Sequence, residues 1–364
     1  MKFRCERDAL LEALSVTGRA AGTRGGFQLV LAGVHMSLEG DELTLTATDR
    51  ELTITMGLTV AGDGDGEAVV TARLANDVVR SLDAGAVNVT VDGEGIHIDS
   101  ARSKFSLQTM GTEDFPQVAA LDGDPVVLEA DGLLTALRQV VKAASADESR
   151  PVLTGVLLSA EQEGLRLVTT DSYRLALCDL PGLEVLGSDQ SVLVPSRALQ
   201  EVIRLLGDIE EVSVRFSERE ASFQLGKVTV TTRLIEGEFP SYEGLIPAHQ
   251  PNRLTIGREG FINAVRRVRL MAQDSTPIRM DMSAAGLELS ATTQDVGEAR
   301  EQLDAVFEGE DLTVAFNPEY LLDGAEAAPG DEIVLNTVDA LKPAVIRTPE
   351  SGEFLYLLMP VRIN

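Results

Sequence analysis

Apolar and polar residues alternate through LTLTATDREL, which begins at Leu43, through LRLVTTDSYRL from Leu165 and through LELSATTQDV from Leu287. A period of two is the mark of a half-buried strand. The three copies start 122 residues apart in both intervals, so the chain reads as three repeats. Upstream of each copy, apolar residues fall three and four apart in RDALLEALSVTGRA, DGLLTALRQVVKAA and REGFINAVRRVRLMA, the spacing of an amphipathic helix. Downstream come a strand, a polar break and a second helical run, in AVVTARLANDVVRSL, SVLVPSRALQEVIRLL and LTVAFNPEYLLDGAEA. Ser196 and Asn317 stand where an N-cap satisfies the first free amides. Phe115-Pro116 and Phe239-Pro240 close the first two repeats at equivalent points.

Each repeat has the size of a domain and contains two helical runs and many short strands. The turns EGDE, VDGEG and AEQEG are hairpin-like. This pattern predicts an α+β fold with antiparallel sheets in three similar domains, residues 1–122, 127–246 and 252–364.

Repetition limits what the polar knot in TTDSYRL can be. Asp49 and Asp171 align, but the third repeat has Thr293 at that position. Asp171 is therefore read as a turn-former at a strand end, not as a general base. His35, His97 and His249 lie far apart and show no metal-ligand spacing. Lys227 in QLGKVTV is followed by Val, and Ala221 stands where the first glycine of a phosphate-binding loop would be. DGDGE at 63–67 misplaces the glycine of a calcium loop and is read as an exposed hairpin tip. No enzyme, metal or cofactor is expected.

The formal charge of −27 speaks against nucleic acid as a general partner. Its distribution is uneven. The helical segments 6–21, 72–84, 132–145, 196–207, 258–271 and 317–327 together carry +2, which leaves −29 on the rest. Arg138, Lys142, Arg197, Arg204, Arg266, Arg267 and Arg269 lie on these segments. Either these are solvated helix faces, or the helices line one less acidic surface where phosphates could lie. The last segment, with Glu319, Asp323 and Glu326, fits the second reading poorly. No apolar run reaches membrane-spanning length, the start MKFRCERDALLEALSV lacks a signal-peptide core, and two cysteines make no disulfide framework. A cytoplasmic protein is expected, with no membrane partner.

Three repeats of this size, TTDSYRLA in the second, GEFPSYEGLIP closing it and the ending YLLMPVRIN together resemble the β subunits of bacterial DNA polymerase III, the sliding clamps, over essentially the whole chain. The resemblance implies the DNA-clamp fold and a non-catalytic processivity factor. Two chains would join head to tail in a homodimeric ring, with helices lining the hole and duplex DNA threaded through it. A separate ATP-driven clamp loader, the replicative polymerase and repair proteins would be partners, docking through a short linear peptide. Position by position, the resemblance implies a peptide pocket of Arg150, Val152, Leu153, Thr170, Ser172, Tyr173, Arg174, Leu175, Pro240 and Leu245. Asn317, Tyr320, Val345, Leu357, Met359, Pro360, Val361 and Arg362 complete it, with arginine as a polar fix at the edge. Many family members have Gly-His or Ser-His where this chain has Ser172-Tyr173, which implies a different pocket mouth. Arg24 in GTRGG matches a DNA contact, alongside the basic helix residues. Arg102, Lys104, Phe105 and Leu107 would meet Leu270, Met271, Glu298 and Glu301 of the other subunit. A duplicate clamp for repair or inhibitor resistance, and a peptide-binding scaffold without DNA, stand as alternatives.

Overall fold

Each repeat folds into two helices and a set of antiparallel strands, as its periodicities predict. The computed structural model describes residues 1–22, 29–119, 121, 123–162, 164–207, 209–272, 276–349 and 352–362. Among them are six α-helices: α1 (Arg7–Thr17), α2 (Ala72–Ser81), α3 (Ala130–Val140), α4 (Ser196–Leu206), α5 (Arg258–Val268) and α6 (Pro318–Ala327). The first helix of every repeat is 11 residues long and runs into a three-residue 3-10 turn, at Gly18–Ala20, Val141–Ala143 and Arg269–Met271. The apolar stripe is the buried one: α5 buries Phe261, Ile262, Ala264, Val265 and Val268. Asn317 caps α6 by accepting from the amides of Glu319 and Tyr320, whereas α4 begins at Ser196 itself.

The strands of the described residues form four antiparallel sheets. The five-stranded sheet runs Ala61–Gly62, Lys2–Glu6, Ala86–Asp92, Gly95–Ser100, Ser103–Leu107. The first nine-stranded sheet runs Thr109–Met110, Gly66–Thr71, Gly33–Glu39, Glu42–Thr48, Leu52–Thr59, Val228–Arg233, Glu220–Leu225, Glu211–Phe216, Val126–Glu129. The second runs Ser191–Pro195, Gly155–Glu161, Gly164–Thr170, Arg174–Pro181, Phe354–Leu358, Ala344–Arg347, Glu332–Thr337, Asn252–Gly257, Ala305–Glu308. The four-stranded sheet runs Gly297–Leu303, Gly286–Thr293, Ile278–Ser283, Leu312–Phe316.

The nine-stranded sheets cross repeat borders. Leu52–Thr59 of the first repeat pairs with Val228–Arg233 of the second, and Arg174–Pro181 of the second with Phe354–Leu358 of the third. The chain consequently divides into two compact units, Met1–Ala130 with Arg204–Leu234 and Asp131–Ile203 with Ile235–Asn364.

The DGDGE segment is a crossover and not a hairpin tip, because Ala61–Gly62 pairs with the N-terminal strand while Gly66–Thr71 pairs with Gly33–Glu39. It is also pinned: the Asp63 amide donates to the Lys2 carbonyl, the Asp63 carboxylate pairs with Lys2, and Asp65 accepts from the Gly40 amide. Gly62 is required there, since a Cβ would sit 1.9 Å from the Gly40 carbonyl oxygen.

Candidate functional site

The TTDSYRL knot folds as a tight corner between Gly164–Thr170 and Arg174–Pro181. Asp171 makes the turn, as the sequence suggests. Its Oδ1 accepts from the amides of Tyr173 at 2.9 Å and Arg174 at 3.0 Å. Thr170 Oγ1 accepts from the Ser172 amide and donates to the Arg174 carbonyl. Ser172 is left-handed at φ 79°, and Arg50 and Asp295 adopt the same region at the corners of the other repeats. In the first repeat Asp49 repeats the turn on Glu51 and Leu52. The corner is thus a repeated backbone device, and what differs is the side chains that it presents.

Arg174 is the hub of the second corner. Nε donates to Asp171 at 3.0 Å, Nη1 to Asp323 at 2.6 Å and to the Tyr356 hydroxyl at 3.2 Å, and Nη2 to the Lys142 carbonyl at 2.6 Å. Its guanidinium also lies 4.4 Å from the centre of the Tyr320 ring. Burial works against its charge, but Tyr356, Asp323 and Asp171 outweigh that and hold it protonated. Arg174 is therefore a buried tie between the corner and α6. Arg150 is exposed; its Nε donates to Asp147 and its Nη1 to the Ser172 hydroxyl at 3.1 Å.

The apolar candidates separate into a floor and a rim. Leu175, Val345 and Leu357 are almost wholly buried in one cluster with Val168, Leu177, Tyr242 and Leu355, against which Leu157, Phe239 and Ile246 pack. Strand alternation carries Leu355 and Leu357 to that cluster and Tyr356 to the opposite face, toward Arg174. Leu153 is buried in the 3-10 turn Pro151–Leu153, with Val152 half-buried beside it. The rim residues Tyr173, Leu245 and Met359 are 60%, 52% and 41% exposed. Pro240 and Arg362 are exposed, and Pro360 and Val361 half-buried. Two backbone hydrogen bonds fix the tail: the Met359 amide donates to the Tyr173 carbonyl and the Val361 amide to the Ala315 carbonyl, both at 2.8 Å. The Tyr173 ring stacks on Tyr320 with centroids 6.4 Å apart. The sequence reading missed Asp323 and Tyr356 as supports of this corner. Alternation within FLYLL was the one available signal, and it marked Tyr356 as the odd-face residue.

α6 comes close to this corner because it carries Gly324, where a Cβ would lie 2.5 Å from the Tyr356 ring. Its acidic residues, which fit poorly with a basic helix surface, are neutralised in place. Lys142 pairs with Asp323 at 3.3 Å and Glu326 at 2.7 Å, Arg266 with Glu326 at 2.8 Å, and Arg269 with Glu319 at 3.5 Å. Arg258 donates to the carbonyls of Ala325 and Glu326 at the end of α6. Arg267 pairs with Glu301, and Arg300 with Glu298, so both glutamates assigned to a subunit contact already have partners. Arg138, Arg197 and Arg204 are exposed on their helices. Arg24 lies outside the described residues.

Burial alone would raise the Glu326 carboxyl, but hydrogen bonds from Lys142 and Arg266 hold it below its ordinary value of 4.5. This stabilisation is therefore complete above that value and is lost as the pH falls through the lowered one. Urea unfolding between pH 7 and 3.5 is expected to show an acid loss that Glu326→Gln reduces. An unchanged acid limb in the variant would remove Glu326 from the account.

In the strand Ser103–Leu107, to which the resemblance assigns a subunit contact, Phe105 and Leu107 do share a face; Leu107 is buried and Phe105 is 37% exposed. Leu270, in the 3-10 turn after α5, is 74% exposed. Among the described residues no group of histidine, cysteine and acidic side chains is arranged to hold a metal. Cys5 and Cys178 are unpaired, and burial pushes their thiols up to about 11 and about 12. No described helix is long and apolar enough to cross a membrane.

Comparison with known proteins gives a match along the whole chain. Residues 1–119, 127–241 and 243–362 match the N-terminal, central and C-terminal domains of the DNA polymerase III beta subunit. The beta sliding clamps of Streptomyces coelicolor and Synechocystis are 31% and 32% identical, with all of both chains covered. Among solved structures, the sliding clamp of Bartonella birtlesii bound to griselimycin is 32% identical with a TM-score of 0.92, again over all of both chains. The Caulobacter crescentus clamp, with polyethylene glycol bound at its beta-motif tethering region, is 29% identical with a TM-score of 0.92 over 100% of this chain and 99% of that one.

Proposed function

The chain belongs to the DNA polymerase III beta-subunit family, and from that premise we infer that it is a DNA sliding clamp, a non-catalytic processivity factor that encircles duplex DNA. Its three clamp domains are 1–122, 127–246 and 252–364. Two chains close a homodimeric ring in the cytoplasm, and the replicative polymerase, the clamp loader and repair proteins dock on it by a linear peptide.

The observation that carries the ring is the pattern of sheet edges. Inside the chain, the strand after each corner meets the last strand of the following repeat, first Leu52–Thr59 with Val228–Arg233 and then Arg174–Pro181 with Phe354–Leu358. Two counterparts are left at free edges: Gly297–Leu303 after the third corner and Ser103–Leu107 at the end of the first repeat. Pairing them between two chains joins a four-stranded and a five-stranded sheet into a third sheet of nine, equal to the two already present. Arg102, Lys104, Phe105 and Leu107 then face Leu270, Met271, Glu298 and Glu301 of the other subunit.

The peptide lies over the floor of Leu175, Val345 and Leu357, between the rim of Tyr173, Pro240, Leu245 and Met359. Arg150, Asn317 and Arg362 supply polar groups around it. An apolar floor with a few polar groups suits a short peptide with hydrophobic anchors. DNA is held by closure rather than grip. Lys142, Arg266, Arg267 and Arg269 meet phosphate only by loosening pairs with carboxylates, while Arg138, Arg197, Arg204 and Arg24 add to the contact surface.

The test is loading onto a nicked circle by a clamp loader, then cutting the circle. Retention on the circle and loss after linearisation is the expected outcome. Retention that survives the cut means direct binding and overturns the ring. No retention by a protein that is monomeric in solution favours the peptide-binding scaffold.

A further inference from the structure

The seam between the second and third repeats is built from three positions that recur, by place in the fold, where two chains would meet. Tyr173 immediately precedes the strand Arg174–Pro181, as Val296 precedes Gly297–Leu303. Tyr320 is the third residue of the ten-residue α6, as Leu74 is of the ten-residue α2. Lys142 is the middle residue of the 3-10 turn after α3, as Leu270 is of the turn after α5.

Within the chain these positions are aromatic and ionic. Tyr173 stacks on Tyr320, and Lys142 is held by Asp323 and Glu326 of α6. At the other set all three are aliphatic and open to solvent: Val296 is 49%, Leu74 48% and Leu270 74% exposed. The carboxylate ladder is also gone. Asp77, which corresponds to Asp323, is paired with Arg73 on its own helix at 3.8 Å, and Arg80 replaces Glu326. At the 3-10 position the two other repeats carry cations, Arg19 and Lys142, and only the third carries leucine.

We infer that the subunit seam is an apolar latch, in which Leu74 of one chain packs against Val296 and Leu270 of the other. This rests on the head-to-tail dimer and assigns Leu74 and Val296 to it. Closure then depends chiefly on apolar burial, which salt does not screen; Arg102 and Lys104 face glutamates already paired with Arg267 and Arg300 of their own chain and add little. The strong negative charge of both chains works against association at low salt, so added salt leaves the dimer as tight or tighter.

Sedimentation equilibrium of the full chain at about 0.1 M and about 1 M NaCl reads this directly. The wild-type dimer is expected to hold its Kd within about threefold, or to tighten. Leu74→Asp and Val296→Asp are each expected to raise Kd by about tenfold or more, while Leu74→Met and Val296→Ile stay near wild type. Both side chains are half exposed in the single chain, so any fall in the circular dichroism melt should depend on protein concentration, as loss of the dimer does, and not persist in the dissociated chain. A dimer that ignores both aspartate variants, or weakens about tenfold in high salt, overturns the latch and leaves the dimer standing. A wild-type protein that is monomeric throughout overturns the dimer itself.

Discussion

Arg174→Met is expected to lower the unfolding free energy by about 3–5 kcal/mol, the cost of removing one partner from a buried ion pair. The side chain is 10% exposed and all of its nitrogens donate, to Asp171, Asp323, Tyr356 and the Lys142 carbonyl. Methionine fills much of the volume but leaves the Asp171 and Asp323 carboxylates facing an apolar chain. Asp323 keeps Lys142 and Asp171 keeps two amides, which puts the loss toward the lower end. Urea titration by circular dichroism at pH 7 measures it, since the chain has no tryptophan to report. A double variant with Asp323→Leu should recover part of the loss, because the stranded charge goes with it. A single-variant loss under about 1 kcal/mol would mean that the hub is replaceable by water and surface pairing.

The second large effect concerns the rim. Leu245→Asp combined with Met359→Asp is expected to weaken a fluorescein-labelled pentapeptide with two leucine anchors by about 100-fold or more. Each substitution places a carboxylate where an apolar anchor would be covered. Leu245 and Met359 are 52% and 41% exposed, so the urea midpoint should stay where it is. Fluorescence anisotropy on both proteins decides the matter. Equal affinities would move the peptide away from this groove, while a shifted midpoint would show that the rim residues are structural.

How far the sequence carried depended on the range of the interactions. Helix positions were legible because they follow local spacing: α5 begins at Arg258, the start of the helical segment 258–271, and its 3-10 extension ends at Met271 with it. Asp171 as a turn-former was legible for the same reason, since an aspartate two residues before an amide is a local device. The role of Arg174 was not. Its partners lie up to 182 residues away, and periodicity says nothing about which strand meets which. The crossover at 63–66 failed similarly, because a glycine-aspartate run signals a turn without saying whether its two strands share a sheet. The basic residues of α3 and α5 were legible as charges, but their pairing with α6 and Glu301 was not.

The strand Phe354–Leu358 lies in the middle of its sheet, between Arg174–Pro181 and Ala344–Arg347. Tyr356 is made 182 residues after the Arg174 that it hydrogen-bonds. At about 5–20 residues per second, synthesis leaves the Arg174 edge without its partner for roughly ten to forty seconds. Throughout that interval Leu175 and Leu177 lack Leu357 and Leu355, their partners in the sheet and in the core. The nascent chain therefore carries a sticky, unpaired edge for most of its second half, and slowing translation after residue 181 should increase aggregation more than slowing it before.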